Sequence, residues 1–72
     1  MTEPLRVFVN GAAVSVPPGS TVLHAVEAAD PAAAAELRAG TRAVTDSRGI
    51  VIPAETIVSG GYVMRLVSSR AG

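Results

Sequence analysis

Residues 5–19 read LRVFVNGAAVSVPPG. Leu5, Val7 and Val9 alternate with Arg6 and Phe8, the period of a strand that buries one face. Asn10-Gly11 follows, a pair suited to the positive φ angles of a tight hairpin turn. Val14 and Val16 then resume the alternation. Pro17-Pro18-Gly19 ends it, because proline has no N–H for a ladder and glycine permits a sharp change of direction. These fifteen positions predict a β-hairpin that leaves its second strand through a turn.

Outward from the hairpin, STVLHAVEAADP (20–31) has helical periodicity. Ser20 or Thr21 can cap it by accepting a hydrogen bond from a free backbone N–H. At 100° per residue Val22, Ala25, Val26 and Ala29 share one side with Leu23 at the edge, while His24, Glu27 and Ala28 fall on the other. Asp30-Pro31 breaks that helix and suits the start of another, with Asp30 as cap, Pro31 as first helical residue and Gly40 as stop. Leu37 is its one substantial core contact on this reading. TRAVTDSRGIVIP (41–53) predicts two short strands around the turn Asp46-Ser47-Arg48-Gly49, with the inward side of the first left open. AETIVSGG (54–61) reads as a connecting loop in which Ile57 plugs into the core. In the closing strand YVMRLV (62–67), Met64 and Leu66 point in, and Val63, Arg65 and Val67 point out.

The expected fold is α+β. One main helix and a short second helix lie on one face of a mixed four- to five-stranded sheet, with the last strand parallel to the first. Residues 1–67 form a single domain, and 68–72 a flexible tail too small and polar to pack.

Composition narrows the chemistry. The 72 residues hold six acids and six bases, for a net charge of zero, and 49% are hydrophobic. That balance argues against disorder and against a general nucleic-acid binder. A reading through Arg6, Arg42 and Arg65 as a phosphate surface is disfavoured by the neutral charge and the scarcity of aromatic residues. All six bases are arginine, so no side-chain amine can form a Schiff base or accept an isopeptide bond. There is no cysteine, which removes disulfides, thiolate metal sites and cysteine nucleophiles, and fits a reducing cytoplasm. No apolar run approaches the length that crosses a bilayer, and MTEPLR has no signal-peptide pattern. His24 is the only histidine and has no carboxylate cluster around it, so it reads as a solvated helix residue that Glu27 can pair with weakly. No serine has a base and an orienting acid suggested beside it. Gly60-Gly61 precedes a strand where a phosphate loop needs a helix, and so reads as a turn. The sequence therefore offers no catalytic residue, metal site or cofactor site of its own.

The order of elements, with VFVNGAAVSVPPGSTVLHAV (7–26) and IVIPAETIVSGGYVMRLV (50–67), resembles the β-grasp or ubiquitin-like fold. It is most similar to the small sulfur-carrier proteins of thiamine and molybdopterin synthesis. The stretch from Asp30 to Gly40 is longer than that family's usual link. The resemblance implies a protein co-substrate rather than an enzyme. An ATP-dependent adenylating enzyme (E1-like), or a synthase subunit, activates the carboxylate of the C-terminal glycine, and sulfur is then loaded to give a thiocarboxylate. Gly72 matches that glycine, and Ala71 stands where the family has a second one. Ser68, Ser69, Arg70 and Ala71 form the arm that would reach the partner's site.

A docking surface is also expected. With the first and last strands adjacent, Arg6, Phe8, Val63, Arg65 and Val67 share the face opposite the helix, an apolar cluster rimmed by arginine. Phe8 either serves as a contact there or is shielded by Tyr62 or a loop. The same face suits a homodimer, and a β-grasp interaction module without C-terminal chemistry is the alternative to a carrier.

Overall fold

The computed structural model describes residues 3–69. The first strand, β1 (Leu5–Val9), pairs antiparallel with β2 (Ala12–Val16), Leu5 opposite Val16 and Val9 opposite Ala12. The turn between them holds Asn10 at φ 52° and Gly11 at φ 84°, the left-handed conformation that Asn-Gly adopts at low cost. Ser20, buried behind the Pro-Pro-Gly turn, donates its hydroxyl hydrogen bond to the Pro17 carbonyl.

Thr21 is the cap of helix α1 (Val22–Ala29), accepting from the His24 N–H at 3.2 Å. Two further N–H groups of its first turn are taken by the following loop: Val22 donates to the Thr56 carbonyl at 2.8 Å and Leu23 to Ala54 at 3.0 Å. Asp30 serves both helices. Its N–H closes α1 on Val26 at 2.7 Å, and its carboxylate accepts from Ala32 at 3.1 Å and Ala33 at 3.4 Å to open α2 (Pro31–Ala39). Gly40, at φ 85°, terminates α2 in the left-handed conformation, with Thr41 N–H returning to the Glu36 carbonyl at 3.0 Å.

Strand β3 (Arg42–Thr45) pairs antiparallel with β4 (Val51–Ile52) on one side and with β5 (Val63–Ser68) on the other. β5 also runs parallel to β1, with Phe8 beside Val63 and Val9 beside Met64. The result is one mixed five-stranded sheet in the order β2-β1-β5-β3-β4, with β5 in the middle. Val7, Val9, Val16, Val44 and Met64 of its inner face close against Val22, Ala25 and Val26 of α1 and Ala33 and Ala34 of α2. The inward side of β3, open from the sequence, is that of Val44.

Four expectations change. The second helix is not the shorter one, having nine residues to the eight of α1. Its buried residues are Ala33 and Ala34, with Leu37 only partly buried against the core, because methyl side chains let the helix backbone approach closely. Ile57 does not enter the core: it is 58% exposed, and Val58, at 3%, takes the place. The cause is backbone pairing, since a bridge between Thr21 and Ile57 and the Val58 N–H bond to the Ser20 carbonyl at 2.9 Å make this segment alternate like a strand. Finally, β5 extends past Val67. Ser68 lies opposite Arg42, and the Ser69 N–H donates to the Thr41 carbonyl at 3.0 Å, so Ser68 and Ser69 belong to the sheet rather than to a flexible tail. Arg70, Ala71 and Gly72 lie outside the described residues.

Candidate functional site

The two helices seal one face of the sheet, and strand alternation sends every second side chain to the other. The pairing registers place these residues. Ala13, Phe8 and Val63 form one row across β2, β1 and β5, and Ser15 lies opposite Arg6. Arg65, Thr45 and Val51 form another row across β5, β3 and β4, and Val67 lies opposite Ala43. Arg6, Phe8, Val63, Arg65 and Val67, predicted to share this face, are thus brought together on it. Phe8 is half-buried between its cross-strand neighbours, and Val63 at 41% and Val67 at 39% remain exposed. Tyr62 packs against the core on the helix side and so is not the cover for Phe8.

Sequence reasoning missed the other residues of this face, Ala13, Ser15, Ala43 and Val51, together with Thr45, which is buried within it. For Ala13 and Ser15 the signal was present, since they alternate with Val14 and Val16. For β3 and β4 the strands are too short for a period to emerge, and only the pairing with β5 assigns the face.

The charges sort by side. Arg38 pairs with Glu27 at 2.9 Å, Arg42 with Glu36 at 3.2 Å and Arg48 with Asp46 at 3.2 Å. Arg6 and Arg65, both exposed, enter no ion pair among the described residues, and none of the ten outer-face positions is acidic. The face is therefore apolar at its centre and cationic at two points. Arg42 alternates with Ala43 onto the inner side and is engaged by Glu36, so Arg6, Arg42 and Arg65 do not make one cationic surface. Glu27 turns to Arg38 rather than to His24, which stays exposed on α1.

At the rim, the turn between β3 and β4 is organised by Asp46. Its carboxylate accepts from the Ile50 N–H at 3.1 Å and the Arg48 N–H at 2.8 Å, and lies 3.2 Å from the Arg48 guanidinium. The bond from Ile50 is the largest influence on this carboxyl; desolvation opposes it, and the two bonds from Arg48 and its charge add to the lowering, so the group stays below the usual value of 3.8. The arrangement is a turn device, not an acid or base poised for catalysis.

Among the described residues no group of three or more histidine, cysteine or acidic side chains is placed to hold a metal ion. No helix is long and apolar enough to cross a membrane. What the open face can do is bind: it offers apolar area and two cations to a partner surface. No family model matches the chain, and comparison with curated proteins finds no match either.

Proposed function

We propose that this protein is a β-grasp module that docks a protein partner through the open face of its sheet. The observation that carries the reading is the segregation of side chains. Phe8, Val63, Val67 and Val51 stand on a face that no described element covers, beside two arginines that have no acidic partner among the described residues. Apolar centres with arginine at the edge are the composition of protein interfaces. The sheet order β2-β1-β5-β3-β4, with parallel β1 and β5 under α1, supports the β-grasp assignment.

Carrier chemistry at Gly72 is the second reading. It draws on the same docking face and on the course of β5, a central strand whose pairing continues through Ser69 and whose next residues are Arg70, Ala71 and Gly72. An adenylating partner would activate the Gly72 carboxylate, and the protein would act as co-substrate.

Two experiments separate the readings. In a binding assay with a candidate adenylating enzyme, Phe8→Ala is expected to weaken association at least about tenfold, as truncation of a central aromatic contact does. An unchanged affinity removes the face from the interface. Incubation of the full chain with that enzyme, ATP and a sulfur donor is then followed by intact-mass measurement. Carrier chemistry requires the gain of one oxygen-for-sulfur exchange, absent when Gly72 is deleted. An unchanged mass with Phe8-dependent binding retained leaves the docking module and rejects the carrier.

A further inference from the structure

The two sides of β5 are unequally used. Toward β3 it is paired over its last four residues, from Thr45 opposite Arg65 to Arg42 opposite Ser68. Toward β1 it is paired only at Val63 and Met64, because β1 turns away at Asn10-Gly11 while β5 runs on through Ser68. The Ser69 N–H bond to Thr41 fixes the phase of the β3 pairing. In an antiparallel pair of that phase, odd-numbered residues of β5 direct their backbone groups to β3 and even-numbered ones away from it. Leu66 confirms the phase: its N–H is taken on the β1 side by the Asn10 side-chain oxygen at 2.9 Å. Asn10 thus extends the ladder by one bond after the β1 backbone has left. Beyond it, the Leu66 carbonyl and the Ser68 N–H and carbonyl face the space that β1 vacated, and no described residue is bonded to them.

That space is a shallow groove of about 460 Å³, lined by Asn10, Gly11, Arg65, Leu66 and Val67. Gly11 leaves its turn side open, and a Cβ there would meet nothing within 4 Å. Arg65 supplies an exposed guanidinium without an acidic partner among the described residues.

We infer that this groove is a strand-addition site, taking a short extended peptide segment with a carboxylate side chain along the line that β1 abandons. The backbone geometry selects extended peptide, because only a strand offers N–H and C=O groups at the spacing of the Leu66 carbonyl and the Ser68 N–H. The cation selects the acid, because a carboxylate beside the segment meets Arg65 and a lysine would be repelled by it. Leu66–Ser68 spans about 10 Å of strand, so the occupant pairs over three or four residues and binds transiently. The site shares Arg65 and Val67 with the docking face but not Phe8, Val63 or Ala13, and its backbone groups belong to the edge of β5, so it is tested separately from that face.

The test uses the isotopically labelled full chain and a blocked pentapeptide alternating valine and glutamate, followed by amide NMR. Saturable shifts are expected at Gly11, Leu66 and Ser68, with Ser68 N–H exchange slowed at least about tenfold at saturation, as for an amide drawn into a ladder. The peptide with lysine in place of glutamate is expected to bind at least about tenfold more weakly. Ser68→Pro deletes the proposed donor while leaving the β3 ladder intact, since this N–H points away from β3, and it is expected to abolish binding. The inference is overturned if Ser68→Pro binds as well as the parent or the lysine peptide binds equally. It is overturned too if the shifts centre on Phe8, Ala13 and Val63 instead. Ser68 N–H protection already present without peptide, or rising only with protein concentration, would assign the edge to the chain itself or to a second copy.

Discussion

The two faces of the sheet are made from the same strands and answer to different demands. On the inner face Val7, Val44 and Met64 are wholly inaccessible and belong to the core shared with the helices. On the outer face Val63, Val67 and Val51 alternate with those residues and remain 39–62% exposed. One residue step along β5 crosses from a position sealed in the core to one left exposed. Hydrophobicity alone does not mark the core here: Val63 is as apolar as its buried neighbours, and only the helices decide which valines are sealed.

Substitution at adjacent residues tests that contrast most severely. Met64→Ala is expected to cost about 2–5 kcal/mol, most of the few kcal/mol that a domain this small has in reserve. Val63→Ala, one residue earlier, is expected to cost under about 1 kcal/mol. Chemical denaturation of the two variants measures the difference, and equal losses would break the distinction between the faces. A smaller effect sharpens the account of α2. Ala34→Leu forces a larger side chain into a fully buried position and is expected to cost about 1–3 kcal/mol, whereas Ala35→Leu on the exposed side is expected to change the midpoint little.

Asn10 qualifies the contrast, because it is exposed yet bonded across the sheet to Leu66. Asn10→Ala loses that bond and strains a positive φ, for about 1–2 kcal/mol. Asn10→Gly keeps the φ and is expected to lose about half as much, and an identical loss would show that the side-chain bond alone matters.

Asp46, at the rim, contributes through its ionised form. Its folded pKa lies below the unfolded value, so its contribution is complete above about pH 4 and is lost as pH falls through the lower folded value. Acid titrations of stability should therefore be shallower in Asp46→Asn below pH 4 than in the parent. Least of all is expected from the solvent side of the helices. Glu27→Gln removes the exposed pair with Arg38 and should shift stability by under about 0.5 kcal/mol.

Much of this architecture was legible from short-range signals. The hairpin from Leu5 to Val16, the break at Asp30-Pro31, the stop at Gly40 and the facing of Met64 against Val63 follow from residues within a few positions of one another. The five residues expected on the outer face are found there because alternation is a local property of a strand. Where reading failed, the deciding partner was distant. Ile57 and Val58 are equally apolar, and their roles were settled by backbone bonds to Ser20 and Thr21. Ala33 and Ala34 carry no hydrophobic signal above that of Ala32 or Ala35, and only the approach of α2 to the core distinguishes them.

Where the chain turns, which segments are helix or strand, and which side of each long strand is apolar are set locally, because proline, glycine, capping groups and periodicity act through nearest neighbours. Tertiary structure alone decided which acids neutralise which arginines, how far β5 outruns β1, and that Asn10 reaches Leu66 across 56 residues of chain. Those outcomes depend on groups that meet only after the sheet has assembled, so no local pattern encodes them, and the edge of β5 and the arginines left unpaired among the described residues arise from that assembly.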